Sequence, residues 1–136
     1  SYIMGLDNGI ILHIEDKTLP KDYPCALDSY DRERLSKEGD IEIAYWRKCW
    51  GIRDAIIRVL HMQKDEFTHT IDAEDLPAIR RALRVFLNPK NWEDADSIWE
   101  YEEMVEGMLQ HQINLKWLES YLKAHPTAKC YFYDSY

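Results

Sequence analysis

The chain has 136 residues, of which 46% are hydrophobic and 31% are charged, and its formal net charge is −8. This composition predicts a single folded domain over residues 1–136, because disordered chains carry fewer apolar side chains. The acidic balance argues against broad nucleic-acid binding and against docking on an anionic membrane, since both need basic surfaces. We therefore expect neither nucleic acid nor a membrane as a partner.

Cysteine usage indicates a reduced, cytoplasmic protein. The three cysteines, at positions 25, 49 and 130, are odd in number and far apart, and none belongs to a CxxC pair. Such spacing is unlike a disulfide framework. No apolar run reaches the ~18 residues of a membrane span, and no charged stretch followed by an apolar one marks a secretory signal.

The first predicted element is a strand over residues 3–15, which are rich in isoleucine and leucine. Asn8-Gly9 inside this strand is a type I′ turn signal, but the run before it is too short for a full hairpin. A bend or bulge at Gly9 is the alternative. Residues 16–39 are polar and contain two prolines, so they predict a long connection with one helical turn within residues 28–39.

The strongest helical pattern covers residues 40–62. Asp40 suits an N-cap position. A helical wheel at ~100° per residue leaves only Arg47, Asp54 and Arg58 as a clear polar stripe. A helix that is apolar around most of its circumference lies at the centre of a fold, packed on two sides. We expect one continuous central helix here.

The rest of the chain predicts helices followed by a final strand. The elements are an extended piece over residues 65–72, a helix from Asp72 or Asp75 to about Leu87, a loop over residues 88–96, an amphipathic helix over residues 97–125 and an aromatic strand over residues 128–136. The natural neighbour of this last strand is the N-terminal strand. The predicted fold class is α+β, with three main helices packed on a small antiparallel sheet formed by the N- and C-terminal strands.

The stretch MGLDNGII, residues 4–11, places an aspartate between two glycines in the first strand. Sugar kinases, actin-like ATPases and RNase-H-like nucleases open on such a stretch, and their aspartate holds a metal ion or positions water. Those folds commonly have a hydroxyl residue where this chain has Ile10, and they need alternating strands and helices. We therefore interpret Asp7 as a strand-end residue that caps a turn or pairs with a basic side chain.

Lys48 is the most unusual charge in the predicted central helix, because the wheel places it in the apolar face, where an unpaired ammonium group is strongly destabilising. Glu42 and Arg53 lie at the edges of the same face, and Asp7 on the neighbouring strand is the expected partner of Lys48. The functional interpretation is a polar pocket of Asp7, Glu42, Lys48 and Arg53 beneath the sheet that holds an anionic ligand. The structural alternatives are an ion pair that fixes how helix and sheet meet, and a lysine that reaches solvent.

A second set of candidates is basic and aromatic. Arg47 and Arg58 form a basic edge of the predicted helix, and Trp46 or Trp50 beside it could stack a base, although the charge of −8 disfavours this. The five histidines show no metal-binding spacing, and no serine or cysteine has a candidate base nearby in the sequence. We predict no metal site, no cofactor and no catalytic residue, and whether the protein is an enzyme stays open.

Three segments carry a family resemblance: residues 4–7 (MGLD), residues 42–48 (EIAYWRK) and residues 131–136 (YFYDSY). Together they resemble a family of small uncharacterised proteins of bacteriophages, prophages and bacteria, whose members begin MGLD, carry an E-[IV]-A-Y-W-R-K segment and end on an aromatic strand. The chain departs from that pattern at Asn8-Gly9, where members often have an aromatic or apolar pair. It also lacks a turn rich in Phe and Gly before the last helix, and it ends in Tyr136 rather than tryptophan.

The resemblance implies an accessory protein of a mobile element and transfers no activity. It also implies that four residues matter for the structure or for a site, namely Asp7, Trp46, Arg47 and Lys48.

Five tryptophans and nine tyrosines exceed what a core of this size needs, so some aromatic side chains are expected at the surface. Aromatic anchors dominate interface energetics, and we therefore predict a phage-type accessory protein that acts by binding another protein rather than by catalysis. The alternative is a small-ligand or nucleotide-binding protein, including a hydrolase, with Asp7, Glu42 and Lys48 in one concave pocket. A third interpretation is a structural domain without a ligand, for which a homodimer is one arrangement.

Overall fold

The computed structural model describes residues 6–92 and 98–136, and for residues 98–101 it describes the backbone alone. The described strands are β1 Asp7–His13, β2 Asp40–Arg47, β3 Thr68–Thr70 and β4 Cys130–Ser135. The described helices are α1 Ser29–Glu38, α2 Trp50–Leu60, α3 Asp75–Leu83 and α4 Ile98–Ala124, with short 3-10 helices at Arg84–Leu87 and Pro89–Asn91. The predicted α+β class, with helices on a small antiparallel sheet, is confirmed.

The sheet has the strand order β2-β1-β4-β3, and each neighbouring pair is antiparallel. Ile10, Ile11 and Leu12 in β1 are completely buried. Because successive side chains point to opposite sides of a strand, this run fills both faces of the sheet. The prediction that the first and last strands are neighbours is confirmed, since β4 pairs with residues 7–12 of β1.

The predicted continuous helix over residues 40–62 is wrong in its first half. Residues 40–47 form strand β2, Lys48 turns the chain with a left-handed φ of 57°, and helix α2 begins only at Trp50. Ile41 and Ile43 are each 1% exposed while Glu42 between them is half-buried, which is the period of a strand. Asp40 is not an N-cap, because its carboxylate contacts the His13 ring at 2.9 Å.

The predicted connection over residues 16–39 contains more helix than one turn. Helix α1 has ten residues. The Asp28 carboxylate caps it by accepting a hydrogen bond from the Asp31 backbone N–H at 2.7 Å. Gly39 ends it with a φ of 78°, a conformation that side chains with a Cβ rarely adopt. Asp28 and Gly39 therefore delimit a helix that is longer than the predicted single turn.

The other boundaries lie close to the predicted ones. Helix α4 spans nearly the whole of the predicted range 97–125, and α3 continues as a 3-10 helix to Leu87. Gly9 lies inside β1 without a hairpin or bend, and the register between β1 and β2 shifts between Ile10 and Ile11 instead. Residues 3–5 of the predicted first strand and residues 93–96 of the predicted loop lie outside the described residues.

The hydrophobic core lies between one face of the sheet and helices α2, α3 and α4. Its strand residues include Ile10, Trp46 and Phe132, which share that face. Its helix residues are Ile52 and Ile56 of α2, Leu76, Ile79 and Leu83 of α3, and Met108, Leu115, Leu118 and Leu122 of α4. The opposite face, which we call the polar face, carries Asp7, Gly9, Glu42, Tyr45 and Tyr133 in the strand register.

Gly9 allows the Tyr133 ring to lie directly on the polar face. A Cβ atom at position 9 would lie 2.6 Å from Cε1 of Tyr133 and 2.8 Å from its hydroxyl oxygen. That hydroxyl donates a hydrogen bond to Glu42 Oε2 at 2.8 Å, so the ring is not free to move away. We expect Gly9→Ala to lower the free energy of unfolding by about 1–3 kcal/mol, the usual cost of overpacking, as measured by urea denaturation.

Tyr133→Ala supplies the control for this substitution. Removing the ring leaves open space above position 9, so Gly9→Ala should cost much less in the Tyr133→Ala background than in the wild type. Equal costs in both backgrounds would show that the tyrosine ring is not what selects glycine at this position.

Candidate functional site

The six predicted site residues do not form one pocket. Asp7 and Arg47 are paired in register at one end of the sheet, and Asp7 accepts a hydrogen bond from the Tyr45 hydroxyl at 2.5 Å. This bond is the main reason why the pKa of Tyr45 is raised. Lys48 lies exposed in the turn after β2 rather than in the core, and its backbone N–H donates to the Leu6 carbonyl at 2.7 Å. Among the side chains that the structure describes, those of residues 6–92 and 102–136, no carboxylate lies within ion-pair distance of Lys48.

Arg53 of α2 makes the most extensive polar contact at this end of the molecule. Its Nε lies 2.8 Å from Asp134 Oδ1, and its Nη2 lies 2.9 Å from Asp134 Oδ2. Asn8 of β1 donates to the same carboxylate at 2.6 Å, and Asp134 is only 3% exposed. The hydrogen bonds that the Arg53 guanidinium donates to Asp134 raise its pKa against the opposing effect of burial. The contact therefore joins β1, β4 and α2.

The same guanidinium group supports two exposed aromatic rings. The Arg53 Cζ atom lies 5.5 Å from the Trp50 ring centroid and 4.9 Å from the Tyr136 ring centroid. Trp50 and Tyr136 are 49% and 46% exposed, and their ring centroids are 6.4 Å apart. We call Trp50, Arg53 and Tyr136 the aromatic cluster. It is a contiguous exposed aromatic surface of the kind expected of an interface, held from beneath by a buried ion pair.

Trp46 belongs to the core and not to a surface site. The side chain is 4% exposed, and its ring lies edge-on to His111 of α4 with a centroid distance of 5.1 Å. The predicted stacking of a base on Trp46 is therefore wrong, because no face of the ring reaches solvent. Of the two tryptophans proposed for stacking, only Trp50 presents a ring at the surface.

Glu42 lies in a cleft of about 580 Å³ between β2, the N-terminal part of α1 and helix α4. Its Oε2 accepts a hydrogen bond from the Tyr133 hydroxyl at 2.8 Å and lies 3.7 Å from Arg34 Nη1. Burial raises the pKa of the Glu42 carboxyl, although both contacts oppose this. The pKa of Tyr133 is raised by burial and by its bond to Glu42. We call this cavity the tyrosine cleft.

Helix α4 forms the opposite wall of the tyrosine cleft. Asn114 is 4% exposed, donates to the Ile43 carbonyl at 3.1 Å and accepts from Gln110 at 2.8 Å. It thereby covers the outer edge of β2. His111 also lines the cleft, and burial lowers its pKa from 6.5 to about 4, so its ring is neutral at neutral pH. Its Nδ1 atom is buried and has no hydrogen-bond partner in the described part of the chain.

Four tyrosines and three carboxylates give the tyrosine cleft its chemical character. Among the described residues of the lining, the tyrosines are Tyr23, Tyr30, Tyr45 and Tyr133, the carboxylates are Asp28, Asp31 and Glu42, and Arg34 is the single lysine or arginine. Burial raises the pKa of Asp31 as well. The cleft therefore combines aromatic surface with excess negative charge.

Sequence reasoning found Glu42 and Arg53 but missed their partners. Arg34, Asn114, Tyr133 and Asp134 were not predicted as site residues, because each meets its partner across two different elements of the fold. The aromatic ending of the chain was the one available signal, since it placed several tyrosines on a strand next to β1.

Among the described residues, no three His, Cys, Asp or Glu side chains are grouped closely enough to hold a metal ion. None of the helices, over the ranges that the structure describes, combines the length and the apolar character needed to cross a membrane.

Comparison of the chain with protein-family models, with curated proteins and with solved structures found no match. The resemblance of residues 4–7, 42–48 and 131–136 to a phage and prophage family therefore stays a prediction.

Proposed function

We propose that the protein acts by binding another protein, and that the aromatic cluster is the contact surface. The observation that supports this proposal is the pair of half-exposed rings, Trp50 and Tyr136, which lie next to each other and both contact the Arg53 guanidinium. Tryptophan, tyrosine and arginine are the residues that most often carry binding energy at protein interfaces.

The buried contact beneath the cluster favours tight binding. Arg53 is fixed by Asp134, which is itself fixed by Asn8, so the guanidinium cannot easily leave its position against the two rings. A surface that is already ordered loses less conformational entropy when a partner binds. The aromatic cluster is therefore preorganised for association.

The charges next to the cluster indicate the chemistry of the partner. Arg47 and Lys48 are exposed and have no carboxylate within ion-pair distance in the described ranges, although the whole chain carries a net charge of −8. Local cations beside aromatic rings complement a segment that carries carboxylates next to an apolar side chain. We infer that the partner presents such an acidic segment. An accessory protein of a mobile element, as the resemblance predicts, could act in this way without any catalytic group.

A random peptide library panned on the purified protein tests the proposal. We expect the enriched peptides to carry Asp or Glu next to an aromatic or aliphatic residue. Their dissociation constants, measured by fluorescence anisotropy, should rise about tenfold or more in Trp50→Ala and in Tyr136→Ala, because both are anchor residues. Lys48→Glu should weaken binding as well, and more so at low ionic strength.

Leu109→Ala is the matched control, since Leu109 is 50% exposed on α4, a different element from those that carry the cluster. It should leave the dissociation constant unchanged. Enriched peptides without carboxylates, or peptides that bind Trp50→Ala as tightly as the wild type, would exclude this surface as the binding site. Circular dichroism of each variant checks that it is folded.

The alternative, a small-ligand site built from Asp7, Glu42 and Lys48, has less support. Asp7 and Glu42 share the polar face but bond to different tyrosines, Asp7 to Tyr45 and Glu42 to Tyr133. Of the three residues, Glu42 alone lines the tyrosine cleft. We therefore place protein binding first.

A further inference from the structure

We propose that the tyrosine cleft is a second binding site, and that its ligand is a small organic cation whose amine or ammonium group lies between Glu42 and the tyrosine rings. This proposal is independent of the aromatic cluster, which is formed by other residues. It assigns a ligand class to a cavity of which the sequence predicted only one residue, Glu42.

The size and composition of the cleft suit a small molecule. Its volume of about 580 Å³ lies in the range of ligand pockets, about 300–1,000 Å³. Such pockets are lined mainly by apolar and aromatic groups with a few convergent polar ones. Here the tyrosine rings supply the aromatic surface, and Glu42, Asn114 and His111 supply the polar groups.

The charges of the lining select a cation. Asp28, Asp31 and Glu42 outnumber Arg34, and Arg34 approaches Glu42 no closer than 3.7 Å. Glu42 is partly buried and Arg34 is not in close contact with it. A cation that binds beside Glu42 is therefore attracted more strongly than it would be by an exposed carboxylate. The N-terminus of α1, which would otherwise attract an anion, is already occupied by its own Asp28 cap and by Asp31.

The tyrosine rings add a second reason for a cation. Tyr30 and Tyr45 line the cleft and are 70% and 41% exposed, so their rings are available to a ligand. Aromatic faces attract ammonium groups through the ring quadrupole, and rings grouped around a site recognise alkylated amines in this way. Glu42 and the rings thus offer the two kinds of contact that an organic cation uses.

The wall formed by α4 is compatible with the far end of such a ligand. His111 is neutral at neutral pH because burial lowers its pKa to about 4, and it therefore does not repel a cation. Among the described residues, the α4 wall of the cleft therefore carries no positive charge.

Isothermal titration calorimetry with named probes tests the proposal. The cationic probes are 1,4-diaminobutane, 2-phenylethylamine and tetramethylammonium, and the anionic probes are acetate and butyrate, all at neutral pH and about 0.15 M salt, where non-specific attraction is screened. We expect at least one cation to bind with a millimolar or lower dissociation constant and neither anion to bind. Glu42→Gln and Tyr30→Ala should each raise that constant, the first by about tenfold or more, because the negative charge that pairs with the ammonium group is lost.

Glu106→Gln is the matched control, because it removes the same charge from an exposed position on α4 outside the cleft. It should leave the affinity for the cation unchanged. Trp50→Ala should also leave it unchanged, which separates this site from the aromatic cluster. The proposal is overturned if no cation binds the wild type, if Glu42→Gln and Glu106→Gln weaken binding equally, or if butyrate binds as well as the amines.

Discussion

Asp134→Ala is expected to lower the free energy of unfolding by about 3 kcal/mol, near the lower end of the cost of removing one partner of a buried ion pair. The substitution leaves the Arg53 guanidinium without its buried carboxylate and removes the shorter of the two hydrogen bonds that the Asn8 amide donates. The side chain of Arg53 is 19% exposed, so water can reach part of the guanidinium, and this places the cost at the lower end. Urea denaturation followed by circular dichroism measures the change.

Asp54→Ala is the matched control for this prediction. Asp54 also contacts Arg53, at 3.3 Å, but its side chain is 58% exposed. Exposed pairs contribute little, so this substitution should change the free energy of unfolding by no more than about 0.5 kcal/mol. Equal effects of the two substitutions would mean that the buried carboxylate of Asp134 does not hold the end of the sheet to α2.

Asp134→Ala should also weaken peptide binding at the aromatic cluster, because Arg53 would no longer be fixed.

Acidification should destabilise the protein through His111. Its pKa is 6.5 in an ordinary environment and about 4 in the folded protein, where burial disfavours the charged ring. Between these two values the unfolded chain binds a proton that the folded chain does not bind, so stability falls as the pH falls. At about 1.4 kcal/mol per pKa unit, the loss reaches about 3 kcal/mol near pH 4, and His111 contributes nothing above its ordinary pKa.

The difference in the free energy of unfolding between wild type and His111→Phe separates the contribution of His111 from that of other titrating groups. The phenylalanine ring keeps the packing against Trp46 but binds no proton. We expect the wild type to lose more stability than His111→Phe between pH 6.5 and pH 4, as measured by thermal and urea unfolding at several pH values. The control is His125→Phe, since His125 is exposed after α4. If the free energy of unfolding falls equally with pH in wild type and in His111→Phe, the prediction is contradicted.

Much of the fold could be predicted because some patterns had one interpretation. The range 97–125 is too long for a strand and repeats apolar residues at helical spacing, and the aromatic ending follows a proline that stops that helix. Residues 40–47 could not be assigned in this way. Ile41 and Ile43 fit either a strand or a broad helical face, and the deciding interaction is the pairing with β1, more than twenty residues earlier in the chain.

The candidate sites were predictable only in fragments. Arg53 was chosen because it lay at the edge of an apolar face, but its partner Asp134 is 81 residues away and was not identified. Lys48 was chosen from a helical wheel that does not apply, since the residue lies in a turn. Glu42 was chosen from the same wheel, at the edge of the apolar face. It nevertheless lines a cleft, whose other walls come from α1, β4 and α4. Local patterns do not encode which of these elements meet.

The position of β4 has a consequence for how the chain reaches its folded state. This strand lies between β1 and β3, so until residues 130–135 have been made, β1 has one open edge and β3 lacks its partner in the described sheet. The contact between Asn8 and Tyr133 spans 125 residues, and such distant contacts must close a long loop before they stabilise anything. A nascent chain therefore carries an apolar strand with one unpaired edge until residues 130–135 have been made. During that interval it is most exposed to aggregation and most dependent on chaperones.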